Sequence, residues 1–167
     1  MRLNLGCGTD LREGWVNVDR SAVPGVDVVH DLDRGPWPFQ DGEADRILAR
    51  DVFEHVNDPI MFMTECWRVL EPDGALFLKT PHWRHRDAYT DPTHRRYSTE
   101  ATFDYWIPGT VLYHLHNAAY GGVAFQSGPL QVQAGAIHVT LFKVPHDQVA
   151  MRLADAQNVL TGLEKII

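Results

Sequence analysis

The 167 residues carry 15 Lys and Arg against 22 Asp and Glu, a formal net charge of -7, with 44% hydrophobic and 22% charged residues and two cysteines. That length supports one domain, spanning 1–167, with a core of its own, and the acidic balance argues against a broad nucleic-acid-binding surface. No apolar run approaches the ~20 residues of a membrane span, Met1 stands too close to the first apolar run for a secretory leader, and Cys7 and Cys66 lack paired metal spacing, so a cytoplasmic protein with reduced thiols is the expectation.

Leu3–Leu5, Trp15–Asp19, Val26–Leu32 and Arg46–Ala49 are short apolar or alternating runs bounded by Gly, Pro and Asp, the pattern of strands. The first leads into a glycine loop and the second ends on an acid, as a nucleotide-binding βαβ unit begins. Only ten residues separate Gly8 from Asp19, whereas a dinucleotide fold needs a full helix there, with its acid roughly 20 positions past the glycines. The run NDPIMFMTECWRVLEPDG reads as a helix capped by Asn57 or Asp58, with Pro59 in its first turn, Ile60, Met63, Trp67 and Leu70 on one face, and Pro72 and Gly74 ending it. Ala75–Thr80 resumes a strand closed by Pro81. From His82 to Gly122 the chain is rich in aromatics, His and Arg, and reads as an acceptor-side insertion over the sheet. Leu130–Ala134 and His138–Val144 follow, linked through Ala134-Gly135-Ala136 as an antiparallel hairpin. Val149, Leu153, Ala156, Leu160, Leu163 and Ile167 keep helical spacing, so 147–167 is expected as an amphipathic helix. The alternation implies an α/β fold, a mostly parallel sheet with helices on its faces.

The stretches LNLGCGTD, NVDRS, VVHDLD, ADRILARDVFEHVNDP, RVLEPDGALFLKTP and DPTHRRY, in that order from Leu3 to Tyr97, resemble the class I S-adenosylmethionine (SAM) dependent methyltransferases, and specifically the small methyltransferase-11-type members. The resemblance implies a Rossmann-like, seven-stranded sheet whose last strand runs antiparallel, and SAM as cofactor. SAM has no pyrophosphate, so a long helix aimed at phosphates is not required, and the first helix is shortened or absent. Asp10 stands where a third glycine often sits. By position, Gly6, Cys7 and Gly8 form the cofactor loop and Asp19 accepts from both ribose hydroxyls. Asp31 accepts from the adenine amino group while the Leu32 N–H donates to the ring, and Arg50 and Asp51 border the methionine end.

Methyl transfer by in-line displacement asks the protein mainly to align and desolvate, and a hydroxyl or ammonium acceptor also needs a base. His82 and His94 are the candidates, with Asp51 a third; His114, His116, His138 and His146 lie in segments without a matching motif and are given no role. Trp83, Tyr89, Tyr97, Phe103, Tyr105 and Trp106 either wall an acceptor pocket or form a satellite core. Four arginines against two aspartates from His82 to Arg96 suit an acidic acceptor or, equally, a solvated face. With no appended recognition domain, a small-molecule acceptor is expected, with no membrane and no nucleic-acid partner. No metal site is assigned. Asp51, Glu54 and His55 do stand at i, i+3 and i+4, a ligand arrangement if the segment is helical, with His82 or His94 as a fourth ligand; against this, the Glu54-His55 pair also resembles the EH of metal-free members. The apolar face of 147–167 covers part of this chain or pairs with a second copy. Two other functions share these features: a catalytically silent SAM-binding partner, and a nicotinamide-dependent oxidoreductase, which would need the longer glycine-to-acid segment.

Overall fold

β1 (Arg2–Leu5) is buried at Leu3, Asn4 and Leu5, as an inner parallel strand with material on both faces must be. The computed structural model of the chain describes residues 1–149. β2 (Val16–Asp19), β3 (Val28–Val29), β4 (Ala44–Arg50), β5 (Leu70–Pro81), β6 (Phe125–Gln133) and β7 (Ala136–Lys143) complete a seven-stranded sheet in the order β3-β2-β1-β4-β5-β7-β6. The first five strands pair parallel, and β7 runs antiparallel to both β5 and β6, which is the expected sheet. One apolar row crosses it through the pairs Leu3–Ile47, Ile47–Leu76 and Leu76–Leu141, and all four side chains are fully buried.

α1 (Pro59–Val69) packs on that row. Asp58 Oδ1 accepts from the Ile60 and Met61 N–H groups at 2.9 and 3.0 Å, and Pro59 occupies a position whose N–H has no helical partner anyway. Its buried stripe is Phe62, Met63, Cys66 and Val69. Of the expected face, Met63 and Leu70 are fully buried, whereas Ile60 and Trp67 sit half-buried at its margin, because Phe62 rather than Ile60 meets Trp37 (ring centroids 5.5 Å) and Phe53 (6.0 Å) edge-on. The helix also ends before Pro72, since Leu70 already pairs with Ala44 in β5. Asp58→Ala is expected to cost about 1 kcal/mol, read as a lower urea midpoint at unchanged slope.

The side of the sheet opposite this row accounts for the missing first helix. Asn4 Nδ2 donates to the Asp10 carbonyl at 2.7 Å and to Asn17 Oδ1 at 3.0 Å, and Asn17 Oδ1 also accepts from the Arg12 N–H at 2.9 Å. Two buried asparagines thus satisfy the backbone of the loop after β1, which lies where a crossover helix would otherwise pack. The described residues have no helix between β1 and β4, a departure from the expected coverage of both faces, and Leu48, Phe77 and Thr140 stay partly exposed. The strand expected over Val26–Leu32 contracts to Val28–Val29: Asp27 Oδ2 accepts from the Asn17 N–H and Nδ2 at 2.7 and 3.2 Å, and beyond Val29 the chain turns.

Between β5 and β6 lie α2 (Asp87–Thr90), a 3₁₀ helix over Glu100–Trp106, α3 (Val111–His116) and a 3₁₀ turn over Asn117–Tyr120. Phe103 and Trp106 belong to the main core and Tyr105 stacks on Tyr120 at 4.4 Å, so these three are core rather than pocket wall, whereas Trp83, Tyr89 and Tyr97 are exposed. β6 and β7 run longer than expected and are joined by Ala134 and Gly135, whose φ values of 50° and 77° give the positive-φ pair of a two-residue hairpin turn. Cys7 and Cys66 are free and buried. No helix of the described residues is long and apolar enough to cross a membrane. The helix expected over 147–167, with any pairing through it, lies outside the described residues from position 150 on.

Candidate active site

The carboxyl ends of β1, β2 and β4 open on a cleft of about 540 Å³ lined by Gly6, Asp19, Asp31, Leu32, Asp51 and His55 among others, where open α/β sheets place their ligands. Gly6 turns the chain there with φ +59°, and a Cβ on it would sit 2.5 Å from Val52 Cγ2; no other residue fits that turn without displacing Val52. Gly8 follows with φ +48° and donates its N–H to Asp19 Oδ2 at 2.9 Å, while Asp19 Oδ1 accepts from the Ser21 N–H at 2.9 Å. Each oxygen keeps a further lone pair, so the carboxylate is oriented by the protein and still able to accept two hydroxyl protons.

Asp31 Oδ1 accepts from the Asp33 N–H at 3.2 Å and the Leu32 carbonyl accepts from Trp37 Nε1 at 3.2 Å, which fixes the turn after β3. Asp51 adopts φ 55°, a left-handed conformation that costs a non-glycine residue of order 1 kcal/mol. Both its oxygens accept from Lys79 Nζ, at 2.9 and 2.7 Å. Cys7 and Arg50 do not line this cleft but an adjoining depression of about 320 Å³ shared with Gly6 and Asp51; Arg50 pairs with Asp10 at 3.1 Å. Burial and the Asp19 charge push the Cys7 thiol above its ordinary pKa, so it stays protonated.

A second cleft, of about 880 Å³, shares Asp51, His55 and Asp91 with the first and adds Glu54, Lys79, Asp87, His94 and His138. His94 is therefore brought to the site. His82 is not among the residues lining either cleft: its Nε2 lies 3.3 Å from Glu100 Oε2, away from both. Residues 51–56 form turns rather than a helix, so Asp51, Glu54 and His55 do not share a helical face; Asp51 is held by Lys79, and Glu54 and His55 approach His94 instead. Burial raises the Glu54 pKa, and burial with the neighbouring His94 lowers that of His55. Sequence reasoning missed His30, Asp33, Asn57 and Arg95 in the first cleft. Asp33 carried a signal, since it ends the VVHDLD stretch and accepts from both the N–H and Nδ2 of Asn57.

Residues 3–78 match the methyltransferase domain family. Over 93 residues the chain is 33% identical to a Mycolicibacterium smegmatis protein described as a probable S-adenosylmethionine-dependent methyltransferase, covering 53% of this chain and 36% of that one. The chain spans about a third of the length of the M. smegmatis and Mycobacterium tuberculosis relatives it matches. A SAM-dependent methyltransferase from Methanosarcina mazei superposes with a TM-score of 0.60 at 16% identity over 86% of this chain and 92% of that one. The [4+2]-cyclase SpnF superposes almost as well, with a TM-score of 0.59 at 16% identity over 85% and 73%, so likeness at this level speaks for fold and not for reaction. Sheet order, motif order and the match over residues 3–78 together make the chain similar to the class I S-adenosylmethionine-dependent methyltransferases.

Proposed function

We propose that the chain binds SAM in the first cleft and passes its methyl group to an oxygen or nitrogen nucleophile of a small molecule held in the second. The observation that carries this reading is Asp19, oriented at the end of β2 by the Gly8 and Ser21 N–H groups beside a loop that Gly6 alone can turn. Its remaining lone pairs suit a ribose diol, and the short link from Gly8 leaves no helix to receive a pyrophosphate, which favours SAM over a nicotinamide dinucleotide. Gly6 lines the floor, and Gly8 behind it holds Asp19. Asp31 and the Leu32 N–H meet the adenine, and Asp51 borders the methionine end, where the adjoining depression brings in Cys7 and Arg50. Bound there, the sulfonium supplies a methyl carbon open to in-line displacement. The protein aligns the acceptor with it, and His94 is the side chain placed to act on the acceptor's proton; His82 drops out of that role.

The second cleft carries Asp51, Glu54, Asp87 and Asp91 against Lys79. This lining disfavours the acidic acceptor that the arginine excess suggested: Arg96 donates to the Phe53 and Asn57 carbonyls, and Arg84 lies over the Trp83 ring at 4.9 Å. A neutral or cationic acceptor bearing a hydroxyl or amine fits instead. The test is a screen of such acceptors with methyl-labelled SAM. Label in at least one acceptor supports the reading; SAM binding with no transfer to any class would instead mark a silent SAM-binding protein.

A further inference from the structure

Glu54 is 1% exposed and its Oε2 accepts from Thr80 Oγ1 at 3.1 Å, yet its Oε1 has no hydrogen-bond donor. A buried carboxylate oxygen left without a partner is costly and calls for an explanation. The facing group is His94 Nε2, at 4.0 Å, beyond hydrogen-bond reach. His94 Nδ1 lies 3.0 Å from the Ala88 carbonyl, which only accepts, so Nδ1 holds the proton and Nε2 presents a lone pair. The same logic applies to His55. Thr93 Oγ1 donates to Asp91 Oδ1 at 2.7 Å, so it accepts from His55 Nδ1 at 2.9 Å, leaving His55 Nε2 with its lone pair. The two imidazoles stand with ring centroids 4.7 Å apart, and ligand atoms of all three residues lie within 4.8 Å of one another. The group therefore offers three lone-pair donors around one point, and its own structure supplies no proton donor between them.

We propose that Glu54, His55 and His94 form a binding site for a divalent transition-metal ion at the junction of the two clefts. Bonds of about 2.0–2.2 Å set ligand atoms up to roughly 4 Å apart around one ion, so small side-chain rotations close the present spacing. Two imidazoles and one carboxylate suit zinc, iron, cobalt or manganese better than magnesium or calcium, which prefer oxygen ligands throughout. The outer contacts are those of a built site: Ala88 and Thr93 fix the imidazole tautomers, and Thr80 holds the carboxylate. The surrounding Asp51, Asp87 and Asp91 favour a cation further. Three protein ligands leave positions open toward the second cleft, where water or an acceptor oxygen can coordinate; with the ion bound, His94 Nε2 is a ligand rather than a base, and the ion would take over its action on the acceptor's proton.

The experiment uses the full chain, stripped with chelator and without SAM, so its outcome is independent of the cofactor reading. Co²⁺ is titrated in while visible absorption is followed, and Zn²⁺ and Mn²⁺ are titrated by calorimetry. The expected result is one ion per chain, with affinity lowered at least tenfold in Glu54→Gln and in His94→Ala and unchanged in His138→Ala on the wall of the same cleft. Should Glu54→Gln misfold by circular dichroism, His94→Ala decides alone, since it leaves the Thr80–Glu54 bond in place. No ion bound by the wild-type chain, or equal affinity in folded His94→Ala, would overturn the site.

Discussion

Replacing Arg68 by alanine is expected to destabilise the fold by about 3 kcal/mol, the low end for breaking a buried ion pair from one side, since Glu65 is buried and Arg68 half-buried. Arg68 Nε and Nη2 donate to Glu65 at 2.8 and 2.7 Å, Nη1 donates to the Phe39 carbonyl and to Asp41 at 2.8 and 2.7 Å, and Nη2 also donates to the Trp37 carbonyl at 3.2 Å. Glu65 in turn accepts from the Trp37 N–H at 2.6 Å. One guanidinium thus ties the irregular stretch 37–41, which seats Trp37 against Phe62, to α1. Alanine would leave the Glu65 carboxylate buried without its counter-charge. The pH dependence follows from the sign of the shift. Burial alone would raise the Glu65 pKa, but the Arg68 and Trp37 donors outweigh it and hold the group below the usual glutamate range. A folded pKa below the unfolded one stabilises above the unfolded value and loses that stabilisation as pH falls through the folded value. Urea melts should therefore show the full gap between wild type and Arg68→Ala near pH 7, narrowing below about pH 4. A gap that stays constant from pH 7 to 3 would assign the loss to packing rather than charge.

Asp19→Ala is expected to lower SAM affinity by about 3 kcal/mol, over a hundredfold, since two hydrogen bonds to a charged group contribute roughly 1.5–3 kcal/mol each. The effect has two sources in the structure. The carboxylate loses its bonds to the ligand, and the Gly8 and Ser21 N–H groups it organises lose their acceptor. Asp19→Asn separates them: the amide keeps the shape but turns an N–H₂ toward one of those donors, so it should also weaken binding while leaving the urea midpoint close to wild type. Calorimetric affinity unchanged in both variants would remove Asp19 from the site.

The sheet was legible because its signals are local. Short apolar runs bounded by Gly, Pro and Asp mark β1, β2 and β4, the Asp58-Pro59 pair marks the start of α1, and an Ala-Gly turn marks the hairpin. What failed depended on partners distant in sequence. Val26–Leu32 alternates like a strand, yet Asp27 is committed to Asn17 across ten positions. The periodicity of α1 marks Met63 and Leu70 as core but not Phe62, because Trp37 and Phe53, which select Phe62, lie outside the helix. Asp51, Glu54 and His55 have helical spacing, but Asp51 has a positive φ and the segment forms turns, so Glu54 and His55 meet His94, some forty positions on, without Asp51. For the first cleft, Gly6, Asp19, Asp31, Leu32 and Asp51 were readable in motif order, whereas Arg95 and Asn57 reach it through a loop whose path no local pattern dictates.

If the glycine loop of this short-linked fold serves SAM, as proposed, the chain discriminates SAM from a dinucleotide. Calorimetric titration of the full chain with SAM, and separately with NAD, tests it most directly. The expected result is saturable binding of one SAM per chain, weakened over a hundredfold in Asp19→Ala, and no measurable heat from NAD. Saturable NAD binding with none for SAM would contradict it.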